Sequence, residues 1–321
     1  MSLFVWISFL VFVVVMLALD LGVFNRKSHE IKVKEALLWS AFWIFLALLF
    51  NAGIYLFDCP DSKQKALDFF TAYLLEKSLS MDNLFVFILI FGFFKIEPKY
   101  QHKILFWGIV GALIMRAAFI FGGLALIARF QWVMYLFGVF LIYSGIHILL
   151  EKENKEFNPN KNIAIRLFRK LMPVADSNDT GKFFVRIDKK LHATTFFIAL
   201  LFIEVSDLIF AIDSVPAVLS VSNDSFIVFT SNIFAILGLR ALYFAVAGVM
   251  RYFRYLKYAL AGILSFIGVK MCLNELANEL NYNIHISNVV SLGVIVGLLL
   301  VSIVLSAVIK DALERRGNGD V

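Results

Sequence analysis

The stretch "FIEVSDLIFAIDSVP", residues 202–216, decides how this chain is read, because three carboxylates, Glu204, Asp207 and Asp213, stand in an otherwise apolar run. An acid at the centre of a membrane helix costs about 2.5 to 3.5 kcal/mol on insertion scales. If this run crosses a bilayer, something offsets that cost. Composition places it in a bilayer: 61% of the 321 residues are hydrophobic, 35 are Phe and only 17% are charged, with a mean hydropathy of +0.84. Soluble domains carry nearer a quarter charged residues. The chain therefore reads as an all-α polytopic membrane protein, and nothing in it resembles a nucleic-acid module or a soluble enzyme.

Apolar runs of about twenty residues give nine expected helices, at about 3–24, 34–57, 66–94, 104–128, 131–150, 194–221, 225–249, 256–275 and 286–309. The first has no basic n-region and no small-residue cleavage site after it, so it reads as a retained helix rather than a signal peptide. The loops after helices one, three, five and seven, with the C-terminal tail, carry 23 Lys and Arg, against 3 in the N-terminus and remaining loops. The positive-inside rule then places the N-terminus outside and the C-terminus in the cytoplasm. The formal charge of +6 is a topology signal, basic loops beside anionic lipid. Loop 151–193 reads as a linker with one basic amphipathic helix over "IAIRLFRKLM" (163–172) lying on the membrane surface. Cys59 and Cys272 read as free cysteines, although their outer positions leave a disulfide open; there is no CxxC.

The chain repeats itself. "YLFGVFLIYSGIHILL" (135–150) aligns without gaps on "YALAGILSFIGVKMCL" (258–273), "RAAFIF" from Arg116 parallels "RALYFA" from Arg240, and "EKSLSMDN" (76–83) parallels "DLIFAIDS" (207–214). Helix three enters from outside and helix six from the cytoplasm, so the units read as two inverted three-helix repeats, an arrangement in which transporters bind substrate near the midplane. The expected organisation is two N-terminal helices (1–65), a first repeat (66–150), the cytoplasmic loop (151–193), a second repeat (194–275), and a last helix with its tail (276–321).

Away from the ends of the expected spans lie six acids, Asp20, Glu76, Asp82, Glu204, Asp207 and Asp213, and four bases, Lys77, Arg116, Arg240 and Lys270. Interhelical salt bridges or snorkelling account for bases of this kind, but the acids outnumber them by two. Glu76, Asp82, Asp207 and Asp213 occupy equivalent places in the repeats and are binding candidates. With Asn83, Ser80, Ser206 and Ser214 they offer hard oxygen ligands suited to Mg, Ca or Mn; Zn or Cu would call for His or Cys. Glu204 has no acidic counterpart in the first repeat and suits a proton carrier. Residues six apart are rotated by about 240° on a straight helix. Glu76 and Asp82, or Asp207 and Asp213, therefore either converge through a local break, which Pro216 and the serines would favour, or face different neighbours.

The stretches "EKSLSMDNLFVF" (76–87), "FIEVSDLIFAIDSVPA" (202–217) and "DSFIVFTSNIFAILGLRALYF" (224–244), with "FFVR" at 183–186 and the N-terminal "LALDLGVF", resemble the TerC family, nearest its Alx subgroup. The resemblance implies an inner-membrane protein of the LysE-like transporter superfamily, associated with manganese export, tellurium resistance and alkaline-inducible expression. Its intramembrane acids correspond to Glu76, Asp82, Glu204, Asp207 and Asp213. His147 stands where the second repeat has Lys270, and reads as a polar residue at a helix end.

The expected function is manganese(II) efflux across the cytoplasmic membrane by cation/proton antiport. Glu76, Asp82, Asn83, Asp207, Asp213 and Ser214 would bind the ion, Glu204 would exchange the proton, and Arg116 and Arg240 would orient the acids. Mn2+ is then a transported substrate; no organic cofactor, nucleic acid or enzymatic activity is expected, and the partners are the ion and the bilayer. The rival readings are a membrane assembly or metallation-assisting protein without transport of its own, and an intramembrane aspartyl hydrolase using Asp82 and Asp213. No protease signature surrounds either Asp.

Overall fold

The computed structural model describes residues 3–22, 33–56, 61–130, 132–150, 174–175, 181–187, 190–247, 255–280 and 286–317, without the side chains of 20–22, 82, 174–175, 307 and 309–317. Its helices are α1 (Leu3–Gly22), α2 (Val33–Leu56), α3 (Ser62–Phe93), α4 (Pro98–Arg129), α5 (Val133–Leu150), α6 (Thr195–Leu219), α7 (Ser225–Leu237), α8 (Leu239–Ala247), α9 (Leu256–Glu279) and α10 (Asn288–Gly317). Among the described residues each of the nine expected runs contains helix, but nine membrane-crossing helices are not shown. Six helices, α2, α4, α5, α6, α9 and α10, are long and apolar enough to cross a membrane, and the bent pair α7 and α8 would be a seventh. The apolar run of α1, Leu3–Leu19, is shorter, and α3, with Glu76, Lys77 and Asp82 along its middle, is not among the six. Length and charge thus separate these two from the rest.

The chain is not wholly helical. The described part of the expected linker holds a three-stranded sheet, β1 (Val174–Ala175), β2 (Phe184–Ile187) and β3 (Lys190–Thr194), in the order β1-β3-β2. Strands β2 and β3 are antiparallel, with Val185 opposite His192, and β3 runs directly into α6. Phe183, Val185 and Ile187 alternate with charged and aromatic positions, a period-two signal too short to stand out beside the basic run. The surface helix expected over 163–172 lies outside the described residues, as does Cys59; Cys272 is a free thiol.

The break in the bundle falls away from the acids. Helices α3 and α6 run unbroken past Glu76, Asp207 and Asp213, and Pro216 sits inside α6 near its end. The seventh run instead bends by 41° at Gly238. A Cβ there would stand 2.8 Å from Lys77 Nζ and 3.1 Å from Trp43 Cβ, so the turn leaves room for a lysine. Lys77 Nζ donates to the Ala235 carbonyl at 3.3 Å, which puts a cation at the carbonyl end of α7 where the helix dipole is negative. The other end of α7 is capped by Asp224, whose Oδ1 accepts from the Phe226 and Ile227 amides at 3.0 and 3.4 Å. Every residue of α7 from Phe226 to Leu237 is buried, as expected of a helix apolar all round and packed in the middle of a bundle.

Helices α5 and α9 cross through glycines. A Cβ on Gly138 would lie 2.9 Å from the Gly268 carbonyl oxygen, and one on Gly145 would lie 2.7 Å from the Ala261 oxygen. Because 138 meets 268 and 145 meets 261, the two helices are antiparallel. Small residues let backbones approach this closely in a membrane bundle.

A polar cluster ties α3, α6, α9 and α10 together at one end. Lys270 Nζ donates to Asn288 Oδ1 at 2.6 Å, and Asn288 Nδ2 donates to Asp68 Oδ1 and the Val221 carbonyl, each at 2.7 Å. Gln64 also donates to Asp68 Oδ1 at 2.7 Å. Lys270 is thus bonded within the protein rather than reaching for the membrane surface.

The α5–α9 contact carries a direct test. Gly268→Ala forces a methyl group into backbone and is expected to destabilise the protein by about 1 to 3 kcal/mol, the usual range for overpacking. Gly122→Ala, on α4 where nothing lies within 4 Å, leaves the thermal unfolding midpoint in detergent unchanged. Equal midpoints for the two variants would show that the crossing is not tight.

Candidate cation site

The three acids of 202–216 face three different neighbours. Asp207, 3% exposed, meets Arg116 of α4, which is 1% exposed. Arg116 Nε donates to Asp207 Oδ2 at 3.3 Å and Nη2 to Oδ1 at 3.1 Å, while Nη1 donates to Ser214 Oγ at 3.1 Å. The same Nη1 is ion-paired with Oε1 of the fully buried Glu76 on α3. Asn83, seven residues along α3, donates through Nδ2 to Asp207 Oδ1 at 3.3 Å. Glu76 and Asn83 are i,i+7 and share a face; Asp207 and Ser214 do the same on α6. One guanidinium therefore fastens three helices, and its planar fork allows it to serve both carboxylates at once.

Asp213 points elsewhere. Its Oδ1 accepts from Ser144 Oγ on α5 at 2.7 Å, and it borders a cavity of about 220 Å³ whose lining includes Asn83, Arg116, Ser214 and His147. Glu204 lies against Gly111 of α4, where any Cβ would collide with the carboxylate; its Oε2 is buried without a hydrogen-bond partner. Of the two arrangements open from spacing, the structure takes the second on α6: the helix is unbroken and its acids face different neighbours. The Asp82 side chain lies outside the described residues. Arg240 and Asp207 line the same small gap.

Glu76, Asn83, Arg116, Asp207 and Ser214 are thus brought together, while Glu204 and Asp213 stand one step away on the same helix. Among the described residues no three of His, Cys, Asp and Glu come together as a ready metal cage. The reason is visible in the geometry: Arg116 fills the space between Glu76 and Asp207. Glu76 Oε2 is buried with no hydrogen-bond donor, so the oxygen set is incompletely satisfied by protein groups alone.

The model of the "Integral membrane protein TerC family" matches residues 61–314. The chain belongs to the TerC family. It is 48% identical over 303 residues to the membrane protein STKORF319 of Myxococcus xanthus, covering 94% of this chain and 92% of the relative. It is 40% identical over 320 residues to the "Putative membrane-bound redox modulator Alx" of Escherichia coli strain K12, covering 98% and 97%. A membrane protein of Rickettsia bellii is 41% identical over 311 residues, covering 97% and 99%. No solved structure matches. In this TerC family member the multi-pass helical architecture is therefore shared along nearly the whole chain.

Sequence reasoning passed over two groups in the TerC fold. Asn232, fully buried on α7, has neither amide atom hydrogen-bonded; the polar triplet Thr230, Ser231, Asn232 within an apolar run was its signal. Thr230 and Ser231 bond carbonyls of their own helix, at 2.7 Å to Phe226 and 3.1 Å to Val228. Ser144 was the other, a small residue indistinguishable by sequence from a packing serine.

Removing one partner of a buried ion pair typically costs about 3 to 5 kcal/mol, because the remaining charge is stranded. Arg116→Met is accordingly expected to lower the thermal unfolding midpoint in detergent markedly, and the triple variant Arg116→Met, Glu76→Gln, Asp207→Asn to recover most of the loss. A triple variant less stable than the single one would mean that the ion pairs themselves, not the stranded acids, set the stability.

Proposed function

We propose that the protein is a manganese(II) efflux transporter of the cytoplasmic membrane that exchanges the ion for protons, with its N-terminus outside and its C-terminus in the cytoplasm. The observation that carries this reading is the convergence of Glu76 and Asp207, one acid from each repeat unit, on a single buried cation, Arg116. Two carboxylates held for a positive charge in a bilayer are a cation site whose occupant is at present tethered. Asn83 and Ser214 would complete the oxygen set, and Asp82 and Asp213 would serve the path to it.

The inverted repeat is supported by the α5–α9 crossing. In the gap-free alignment Gly138 corresponds to Ala261 and Gly145 to Gly268. The contacts run from 138 to 268 and from 145 to 261, so each position meets the equivalent of the other, as a two-fold axis requires.

Arg116 and a divalent ion compete for the same carboxylates in this mechanism. Arrival of the ion displaces the guanidinium from Glu76 and Asp207, and departure lets it return, so the vacated acids are never left bare. Glu204, three residues from Asp207 and on the same face of α6, takes up a proton when no cation is near and releases it when the ion arrives. The slot at Gly111 gives its carboxylate room to do so.

Inside-out vesicles test the reading. Wild-type vesicles with an acidic lumen are expected to accumulate Mn2+, and to stop when the proton gradient is collapsed. Asp207→Asn abolishes uptake, while Glu204→Gln severs its dependence on the gradient; uptake surviving Asp207→Asn would remove the site. The name "redox modulator" carried by the Alx relatives favours a second reading, a redox role, for which the chain offers only Cys59 and Cys272 as thiols. Uptake by the Cys59→Ser, Cys272→Ser variant at the wild-type rate is expected, and its loss would favour thiol chemistry. Mn2+ should also raise the unfolding midpoint of Arg116→Met by more than it raises that of the wild type, since ligand stabilisation grows with affinity.

A further inference from the structure

We propose that His147 and Asp213 form a second cation station, a mixed nitrogen and oxygen site that selects first-row transition-metal divalent cations over Mg2+ and Ca2+. The inference rests on the transport reading above and gives a physical basis for its choice of a transition-metal ion. His147 and Ser144 are i,i+3 on α5 and share a face. Ser144 Oγ bonds Asp213 Oδ1 at 2.7 Å, and His147 lines the same cavity of about 220 Å³ as Asp213. The imidazole is stacked on Tyr143 with ring centroids 5.8 Å apart and planes within 10°.

The cavity has the volume for an ion with several waters, each needing about 30 Å³ of liquid volume. Its polar lining is Asp213, His147, Asn83, Ser214 and Arg116. The charge of Arg116 is already matched by Glu76 and Asp207, so the cavity as a whole does not repel a cation. Asn83 and Ser214 belong both to this lining and to the central cluster, so an ion held at Asp213 is adjacent to the acids that Arg116 guards.

The repeat shows why position 147 matters. Its counterpart Lys270 is an ammonium, a donor with no lone pair to offer, and is bonded to Asn288 at 2.6 Å. Histidine is the one of the two that can ligate a metal. Carboxylate and water alone do not separate Mn2+ from Mg2+ or Ca2+, whereas an imidazole nitrogen favours the transition ion.

Pulsed electron paramagnetic resonance on the full-length protein in detergent, titrated with MnCl2, tests the assignment. The bound Mn2+ of the wild type is expected to show nitrogen modulation. His147→Gln loses that signal and binds Mn2+ at least about tenfold more weakly, whereas His192→Gln, on β3, changes neither. Excess Mg2+ displaces Mn2+ from His147→Gln at lower concentrations than from the wild type. Bound Mn2+ without nitrogen modulation, modulation that survives His147→Gln, or equal displacement by Mg2+ overturns the station while leaving manganese transport standing. A wild-type protein that binds no Mn2+ overturns the transport reading along with it.

Discussion

Burying Glu76 and Asp207 in an apolar bundle is tolerable because one guanidinium reaches both. At an effective dielectric constant near 20, opposite charges about 4 Å apart attract by about 4 kcal/mol, enough to offset the insertion cost of one acid. Arg116 does this for two acids on different helices and adds a bond to Ser214. The junction of α3, α4 and α6 is thereby set by charge rather than by side-chain volume. The apolar residues around it need only exclude water, which lowers the local dielectric and strengthens the same attraction.

Two other cations of the bundle, Lys77 and Lys270, sit where the helical backbone or a carboxylate exposes negative potential. Lys77 sits at the carbonyl end of α7, and Lys270 is held beside Asp68 through Asn288. Glu204 Oε2, like Glu76 Oε2, is buried without a donor, but Glu76 is ion-paired with Arg116, whereas Glu204 is accommodated against the bare backbone of Gly111. An acid kept in such a slot is the group whose protonation the surroundings do least to prevent.

How much of this was legible in the sequence follows from the physics of each feature. Where the described helices lie was largely legible, because twenty-residue apolar runs leave few alternatives, but how many of them cross the membrane was not. Glu76, Arg116 and Asp207 were each marked by the cost of a charge in a membrane, but their pairing was not, since charge marks a residue without naming its partner. Spacing gave two arrangements for Asp207 and Asp213, and only coordinates chose between them. The bend at Gly238 went unread because a lone glycine in an apolar helix is ambiguous until Lys77 is seen against it. The short sheet before α6 was hidden by a strongly basic loop whose charge pattern spoke first.

The glycine seam of α5 and α9 and the arginine cluster make opposite demands on the bundle. The seam is a backbone-to-backbone contact with no room for adjustment, so α5 and α9 move as one body. The cluster is held by side chains with rotatable stems, so α3, α4 and α6 can change spacing once Arg116 is released. Asp213 lies on α6 but bonds Ser144 on α5, across the boundary between the stiff pair and the adjustable trio. Movement of α6 relative to α5 must therefore break or remake that bond. An ion that engages both Asp213 and His147 would hold the two bodies together, and its passage to Glu76 and Asp207 would free them. On the transport reading proposed above, the step that moves the ion would be the same step that unlocks the helices.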